Sequence, residues 1–215
     1  MGRRKKEPGS AHRESIASAA SQLFMEKGIA QTTMDDIAKA AGYSKATLYV
    51  YFESKEEIVS VLVLKSMKKL CDYLSAAIQQ KNSTRAKYDL ICWELVRYQE
   101  EYPFYFKMTW ETIRIHFEDR DFYLEEKETI RVGETINEMI QSLLLSGMEQ
   151  GELQPDLEPL PVFFSCWGML SGLIQFTANK EDYIKNSMRL SKEQFLQYGF
   201  DMIYRSISGE RQIYE

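Results

Sequence analysis

Apolar residues recur at helical spacing along most of this chain, which predicts an all-α fold. The first run ends at Gly28 and predicts a helix from about Ser10 to Lys27. A shorter run follows Thr33 and ends at Gly42. Thr33 with Asp36 three residues later is typical of a capping box at a helix N-terminus.

A third short helix is predicted directly after the second, with Ser44 as its N-terminal cap. Gly42 can adopt the left-handed backbone that a tight turn between two helices requires. Two short helices joined through such a turn are typical of the helix-turn-helix arrangement. The pattern therefore favours a DNA-binding head at the N-terminus.

On a helical wheel the third helix has an inward face and a small tip. Leu48 and Phe52 point inward, whereas Ala46 and Val50 lie roughly opposite. The flanking positions are Lys45, Tyr49, Thr47 and Tyr51. Small groups at the tip let a backbone enter the major groove, and flanking donors can meet phosphates and base edges. Alternatively, the tyrosines pack on the first helix.

The remaining pattern predicts a larger helical body. Helices are expected over 54–80, 83–101, 104–117 as one or two pieces, 121–150, 161–179 and 191–208. Ser54 with Glu57 is a second candidate capping box. We therefore expect two domains: residues 1–55, with a basic N-terminal arm, and the helical residues 56–215.

Charge is consistent with this division. Residues 1–55 contain nine Lys/Arg against six Asp/Glu, whereas the remainder contains eighteen against twenty-six, and the net charge of the chain is −5. A basic head on an acidic body suggests that the head binds a polyanion, although a difference of this size also fits ordinary variation. The helix-turn-helix pattern favours the first interpretation.

Cysteine spacing and the N-terminus favour a cytoplasmic protein. Cys71, Cys92 and Cys166 are too far apart for a Cys-x-x-Cys pair, so neither a disulfide framework nor a zinc site is supported. No apolar run follows the basic N-terminus, which argues against a signal peptide. The uncharged stretch 159–179 is long enough to span a bilayer, but polar residues interrupt it, so we expect a buried helix and no membrane.

Known catalytic motifs are missing from the sequence. It contains no Gly-x-Gly-x-x-Gly, P-loop, Gly-x-Ser-x-Gly or His-Glu-x-x-His motif. Its two histidines, His12 and His116, provide little material for a metal or proton-transfer site. We expect no enzymatic activity, no catalytic or metal-binding residues and no cofactor.

The N-terminal sixty residues resemble the TetR family of bacterial transcriptional regulators. The signature of that family has two threonines, Ile-Ala, Ala-Gly, a Val-Ser-like pair, Thr-Leu-Tyr, an aromatic pair ending in Phe, and Ser-Lys-Glu. The residues here that carry the likeness are Thr32, Thr33, Ile37, Ala38, Ala41, Gly42, Tyr43, Ser44, Thr47, Leu48, Tyr49, Tyr51, Phe52, Ser54, Lys55 and Glu56.

The resemblance implies roles for individual residues at a DNA interface. Thr33 would contact a phosphate, and Lys45 and Thr47 would reach base edges. The expected backbone contacts come from Tyr49, Tyr51 and Lys55, and the predicted interface also includes Ser44 and Ala46. Ala46 stands where many family members have Gly or Pro, and its methyl group could lie against a thymine methyl.

The resemblance also implies that the body binds a ligand. Aromatic residues are dense between Trp93 and Tyr123, and the residues expected to contact ligand are Trp93, Phe106, Trp110 and Phe117. The segment from Trp93 to Glu126 contains four basic and nine acidic residues. This surplus favours a small hydrophobic effector that is neutral or cationic.

Gly168 and Gly172 lie four residues apart in the uncharged helix and therefore share one face. Such a pair lets another helix approach closely. It suits the interface of a homodimer of TetR type, although one glycine could instead pack against a ring of its own chain. The resulting hypothesis is a dimeric repressor that binds a palindromic operator in double-stranded DNA and is released by its effector. The alternative is an architectural DNA-bound protein without an effector.

Overall fold

The computed structural model describes residues 9–79, 83–111 and 123–209, except for the side chains of Trp110 and Glu111. The described chain is helical, which confirms the all-α prediction. The helices are α1 (Gly9–Lys27), α2 (Met34–Ala41), α3 (Lys45–Tyr51), α4 (Lys55–Ile78), α5 (Thr84–Glu101), α6 (Pro103–Glu111), α7 (Leu124–Glu149), α8 (Pro159–Asn179), α9 (Glu181–Tyr183) and α10 (Lys192–Arg205).

The N-terminal core forms where the apolar stripes of α1, α2 and α3 meet. Ile16, Ile37 and Leu48 are each fully buried, one from each helix, and Phe52 closes the cluster just after α3. The inward face predicted for the third helix is therefore confirmed. The basic arm before residue 9 lies outside the described residues.

The turns around α2 have the predicted chemistry. The Thr33 side chain accepts a hydrogen bond from the backbone of Asp36, and the Asp36 side chain accepts one from the backbone of Thr33, which completes the capping box. Gly42 ends the helix in the left-handed conformation, at φ 75°, a region that only glycine enters without strain from Cβ. The orientation of α3 relative to α2 depends on this turn.

The second predicted capping box is only half formed. The Glu57 N–H donates to Ser54 Oγ over 3.1 Å, but the Glu57 carboxylate accepts from the N–H of Glu53 instead of that of Ser54. Glu57 is nevertheless buried, and its carboxylate also accepts a hydrogen bond from Arg13.

Contacts group the chain into two units. One contains the described residues within 1–66 and 107–129, and the other those within 67–106 and 130–215. The long helices α4 and α7 each contribute residues to both units.

In the second unit, α5 packs against α8 and α10. The Tyr88 hydroxyl donates to the carbonyl of Phe200 over 2.9 Å, and Arg85 forms ion pairs with Asp89 and Asp201. An isolated antiparallel bridge between Leu153 and Ser208 joins the connector before α8 to the end of the described chain.

The uncharged helix α8 is buried on one face only. By length and composition alone it could cross a membrane, and 22% of its most apolar 18-residue window is buried. Leu170 and Ile174 point into the unit, whereas Phe164 is 57% exposed. The expectation of a buried helix is therefore met on one side of α8.

The segment between α8 and α10, for which the sequence predicts no element, contains helical turns. After α8 the chain forms the short helix α9 and a π-helical turn at Ile184–Met188 before α10 begins. Ile184 is the buried residue of that turn, and the charged residues around it hide the helical pattern in the sequence.

Candidate nucleic-acid interface and ligand cavity

The helix α3 presents a small, exposed surface between two hydrogen-bonding flanks. Ser44 caps its N-terminus by accepting the N–H of Thr47 over 3.1 Å, and the two hydroxyl oxygens lie 2.8 Å apart. Ala46 is exposed, and Val50 is 76% exposed. Tyr49 is also exposed, so its hydroxyl is accessible to a partner. The surface has the small tip and the donors that a major-groove helix requires.

Lys45, at the start of α3, is paired with a residue of α2. Its Nζ lies 2.8 Å from Oδ1 of Asp35, and both side chains are more than 60% exposed. The Asp35 carboxylate, through its hydrogen bond with the ammonium, raises the pKa of Lys45 above its usual value. The sequence pattern predicts Lys45 as a DNA contact but does not reveal this partner.

Thr33 is engaged at the N-terminus of α2. Its hydroxyl lies 2.7 Å from Oδ2 of Asp36, which also accepts from Lys27 Nζ over 2.7 Å. The Lys27 ammonium, together with the backbone and side chain of Thr33, holds the pKa of Asp36 well below its usual range. The carboxylate therefore remains ionised and keeps the cap in place.

Lys55, predicted to contact the DNA backbone, has two partners within its own chain. Its Nζ donates to the carbonyls of Ile29 and Thr32 over 2.8 and 3.0 Å. These carbonyls belong to the loop before α2, so the ammonium fixes the position of that loop. An Nζ held in this way has one donor left for a phosphate.

Tyr51 packs against two aromatic rings of the same unit. Its ring centroid lies 5.1 Å from that of His12 and 6.4 Å from that of Tyr43. His12 Nδ1 is also 2.7 Å from the Tyr43 hydroxyl. Of the two tyrosines on the flanks of α3, Tyr51 is the one that packs on α1.

Arg13 is absent from the residues predicted by the sequence motifs, yet it joins several elements. Its guanidinium donates to the Tyr51 carbonyl, to Glu57 over 2.8 Å and to Glu125 over 2.9 Å. It also lies 4.2 Å from the centroid of the Phe52 ring. The ends of α3, α4 and α7 thus meet at one side chain, in a cluster that we call the Arg13 node.

The position of Arg13 in the sequence indicates that this residue has a charged partner. It lies three residues before the buried Ile16, on the inward side of α1, and a charged residue at such a position normally has a partner. Its partner Glu125 is 112 residues away, and helical spacing cannot identify a pair at that separation.

An apolar cavity of about 70 Å³ lies within the second unit. Its walls come from α4, α5, α7 and α8, with one residue near the described C-terminal end. The lining residues are Leu74, Tyr88, Ile91, Leu95, Ile140, Leu143, Leu144, Val162, Phe163, Cys166, Trp167, Leu170 and Ile207. None of these residues is charged at neutral pH.

The Tyr88 and Cys166 side chains in this wall remain neutral. Burial raises the pKa of the Tyr88 phenol and also that of the Cys166 thiol. Tyr88 already donates its proton to the Phe200 carbonyl. The cavity therefore offers an environment suited to apolar, uncharged groups.

The aromatic residues predicted to contact ligand lie elsewhere or outside the described part. Phe106 is buried against Trp167, with 6.3 Å between ring centroids, so it lies behind a cavity residue. Trp93 packs edge-on against Phe200 at 5.5 Å. The Trp110 side chain and all of Phe117 lie outside the described residues. The assignment of these four residues stays a prediction.

An exposed apolar surface covers the outer sides of α8 and α10, and we call it the α8/α10 face. Its exposed residues are Phe164, Met169, Phe176, Tyr198 and Met202. A Cβ atom added to Gly168 or Gly172 would meet no described atom of the same chain within 4 Å. Packing within the described chain thus does not explain why these positions are glycine.

In the described residues, no group of three His, Cys, Asp or Glu side chains is placed to hold a metal ion.

The short helices α2 and α3, the glycine turn between them and the exposed tip of α3 define a helix-turn-helix protein. Residues 16–62 match the family model for bacterial regulatory proteins of the tetR family. This match to the N-terminal part of the chain confirms the resemblance to the TetR family seen in the sequence.

Known proteins are similar to this chain in sequence over the N-terminal part. It is 37% identical over 82 residues to the HTH-type transcriptional regulator TtgR of Pseudomonas putida, covering 38% of this chain and 39% of TtgR. It is 38% identical over 78 residues to the biofilm operon icaADBC negative transcriptional regulator IcaR of Staphylococcus aureus (strain Newman), covering 36% of this chain and 39% of IcaR. Both matches span less than half of each relative.

The similarity of fold extends further along the chain. The crystal structure of FadR from Bacillus subtilis in complex with stearoyl-CoA superposes with a TM-score of 0.65 at 17% identity. The superposition covers 92% of this chain and 99% of the FadR chain. At this identity the likeness concerns the fold alone.

Replacing Lys55 with methionine tests the structural role of its ammonium. We expect Lys55→Met to lower the free energy of unfolding by about 1–3 kcal/mol, because two carbonyls lose a charged donor. Urea denaturation measures this loss. Lys39→Met, which removes an exposed lysine of α2, should change stability by less than about 0.5 kcal/mol. Equal stability of the two variants would contradict the role assigned to Lys55.

Proposed function

We propose that this protein is a transcriptional repressor that binds a palindromic operator as a homodimer and is released by a small apolar effector. The observation that supports DNA binding most directly is the exposed surface of α3. Its N-terminal cap, small tip and accessible Lys45 and Tyr49 fit the chemistry of major-groove recognition.

The direction of regulation is inferred from a relative. IcaR is a negative transcriptional regulator by name, and its similarity to this chain extends over 78 residues. A protein of this kind represses by occupying its operator, so the effector must weaken DNA binding. This inference extends from part of IcaR to the whole of the present chain.

Selection from a random duplex library tests the DNA interface and identifies the preferred operator in the same experiment. Lys45→Ala should weaken binding to the selected duplex about tenfold or more and relax the preference at the base pair that Lys45 reads. Tyr49→Phe should weaken binding to all duplexes by a similar factor, since it removes a backbone contact. Titration by fluorescence anisotropy at fixed salt gives both values.

The matched control for these variants is Lys185→Ala, which removes an exposed lysine of the second unit. It should bind the selected duplex like the wild type. If Lys45→Ala and Tyr49→Phe also bind like the wild type, α3 is not the recognition helix.

Dimerisation is supported by the α8/α10 face. Its exposed apolar residues are large, and an exposed patch of this type marks an interaction site. The open positions Gly168 and Gly172 would let a helix of a second subunit approach closely. A second copy is the occupant we propose, because a palindromic operator requires two identical heads.

Replacing Gly168 and Gly172 together with leucine should separate the subunits. Each leucine would occupy open space in one chain, so the fold should be retained, but both would fill the groove that the partner needs. Sedimentation equilibrium should show monomer with unchanged circular dichroism. The control Ala76→Leu adds an exposed leucine to α4 and should leave a dimer. A dimeric glycine variant would place the interface elsewhere.

The cavity supports an apolar effector without charge. Its walls carry no ionised side chain among the described residues, and transferring a charged group into such a site is costly. The described lining therefore supports the neutral effector expected from the sequence and gives no support to a cationic one. An apolar cavity of about 150 Å³ admits benzene, so this smaller cavity must widen when a ligand enters.

Two helices could carry the effect of a ligand to the DNA-binding residues. Leu74 of α4 and Ile140 of α7 line the cavity, while Glu57 of α4 and Glu125 of α7 bind Arg13. Widening the cavity displaces the helices that form its walls. We infer that this displacement alters the Arg13 node and hence the placement of α3.

Three compounds with the same alkyl chain test the effector class: decanol, decylammonium and decanoate. We expect decanol to quench Trp167 fluorescence and release the selected duplex, with the ionic compounds at least about tenfold weaker. Trp167→Phe identifies the responding tryptophan, since Trp93 and Trp110 remain. Activity of the ionic compounds alone would contradict a neutral effector. If none of the three binds or releases DNA, the architectural alternative gains support.

A further inference from the structure

Asp35 is a carboxylate beside the proposed DNA-binding surface. It lies in the first turn of α2, and its Oδ1 is 2.8 Å from Nζ of Lys45 in α3. Asp36, the other acidic residue in that turn, is used by the capping box and by Lys27. Asp35 takes no part in that box, and its ion-pair partner is the lysine proposed to read DNA.

The ion pair between Asp35 and Lys45 is too exposed to stabilise the fold appreciably, so stability does not explain the presence of Asp35. The Lys45 and Asp35 side chains are 61% and 62% exposed, and exposed pairs contribute little to folding. A negative charge at the N-terminus of α2 suits the helix dipole, but Asp36 already supplies one within the same turn. The main effect of Asp35 is therefore its effect on Lys45.

A carboxylate at this position has two effects on a neighbouring ammonium. It cancels the positive charge as seen by DNA phosphates, which reduces the attraction that is common to all sequences. It also occupies one of the three donors of Lys45 and fixes the direction of the others. Two donors remain, enough for the O6 and N7 acceptors of a guanine.

We propose that Asp35 is a specificity-determining residue, which directs Lys45 toward base edges and suppresses its attraction to phosphates. Asp35 acts on DNA through Lys45, so it is a positioning residue. The inference rests on the proposed DNA-binding function. In this proposal Asp35 lowers the affinity for non-specific DNA, whereas the proposed contacts of Lys45 and Tyr49 raise the affinity for DNA.

Asp35→Ala tests the proposal with two probes: the duplex selected by the wild type and a random duplex of equal length. We expect the affinity for the random duplex to rise about fivefold or more. The slope of log K against log salt should steepen by about 0.9, which corresponds to one additional phosphate contact. Binding to the selected duplex should gain less, so the specificity ratio should fall.

Two controls separate this effect from a general change in charge. Glu26→Ala removes an exposed carboxylate of α1 and should leave the specificity ratio unchanged. In a Lys45→Ala background, Asp35→Ala should no longer alter the ratio, because the side chain through which it acts is missing. An unchanged ratio in Asp35→Ala, an equal change in Glu26→Ala, or persistence of the effect without Lys45 would each overturn the proposal.

The same experiment distinguishes failure of this inference from failure of the proposed function. If the wild type selects no sequence from the library, sequence-specific DNA binding is wrong and the role of Asp35 falls with it. If the wild type selects a duplex but Asp35→Ala keeps the ratio, only the role of Asp35 is wrong.

Discussion

Four contacts of the Arg13 guanidinium connect the end of α3 to the starts of α4 and α7. This group binds the carbonyl at the end of α3 and the carboxylates of Glu57 and Glu125, and it lies over the Phe52 ring. Only arginine combines several fixed donors with a flat face that stacks on an aromatic ring, so lysine would not replace it. Both carboxylates are largely buried, and removing the cation would leave them uncompensated. The node therefore favours one arrangement of these helix ends.

The head and the body achieve order by different means. In the first unit, the short helices α2 and α3 are held by caps, a glycine turn and charged hydrogen bonds, because helices of this length bury little apolar surface. In the body, long helices pack large side chains and leave a small cavity among them. Polar networks have directional geometry, whereas apolar packing is non-directional. The two units are therefore stabilised by interactions of different kinds.

Most local features were predictable from the sequence, although the box at Ser54 formed only in part, and long-range features were not. The capping box at Thr33, the left-handed Gly42 and the inward Leu48 follow from residue type and spacing over a few positions. The lining of the cavity was not predictable in this way. The sequence indicated aromatic residues of α5 and α6, whereas Trp167 and Phe163 of α8 line the cavity. Both regions are rich in rings, and only packing decides which ring faces a void. The same holds for Arg13, whose pairing with a distant carboxylate depends on tertiary structure.

The protonated thiol of Cys166 has a consequence for the chemistry of the cavity. Thiolates, not thiols, react with oxidants and electrophiles, and burial raises the pKa of this group. Cys166 should therefore react slowly with peroxide or alkylating agents, although its side chain lines the cavity. An oxidised sulfur would place a polar or charged group in an apolar wall. A neutral thiol therefore keeps this part of the wall apolar.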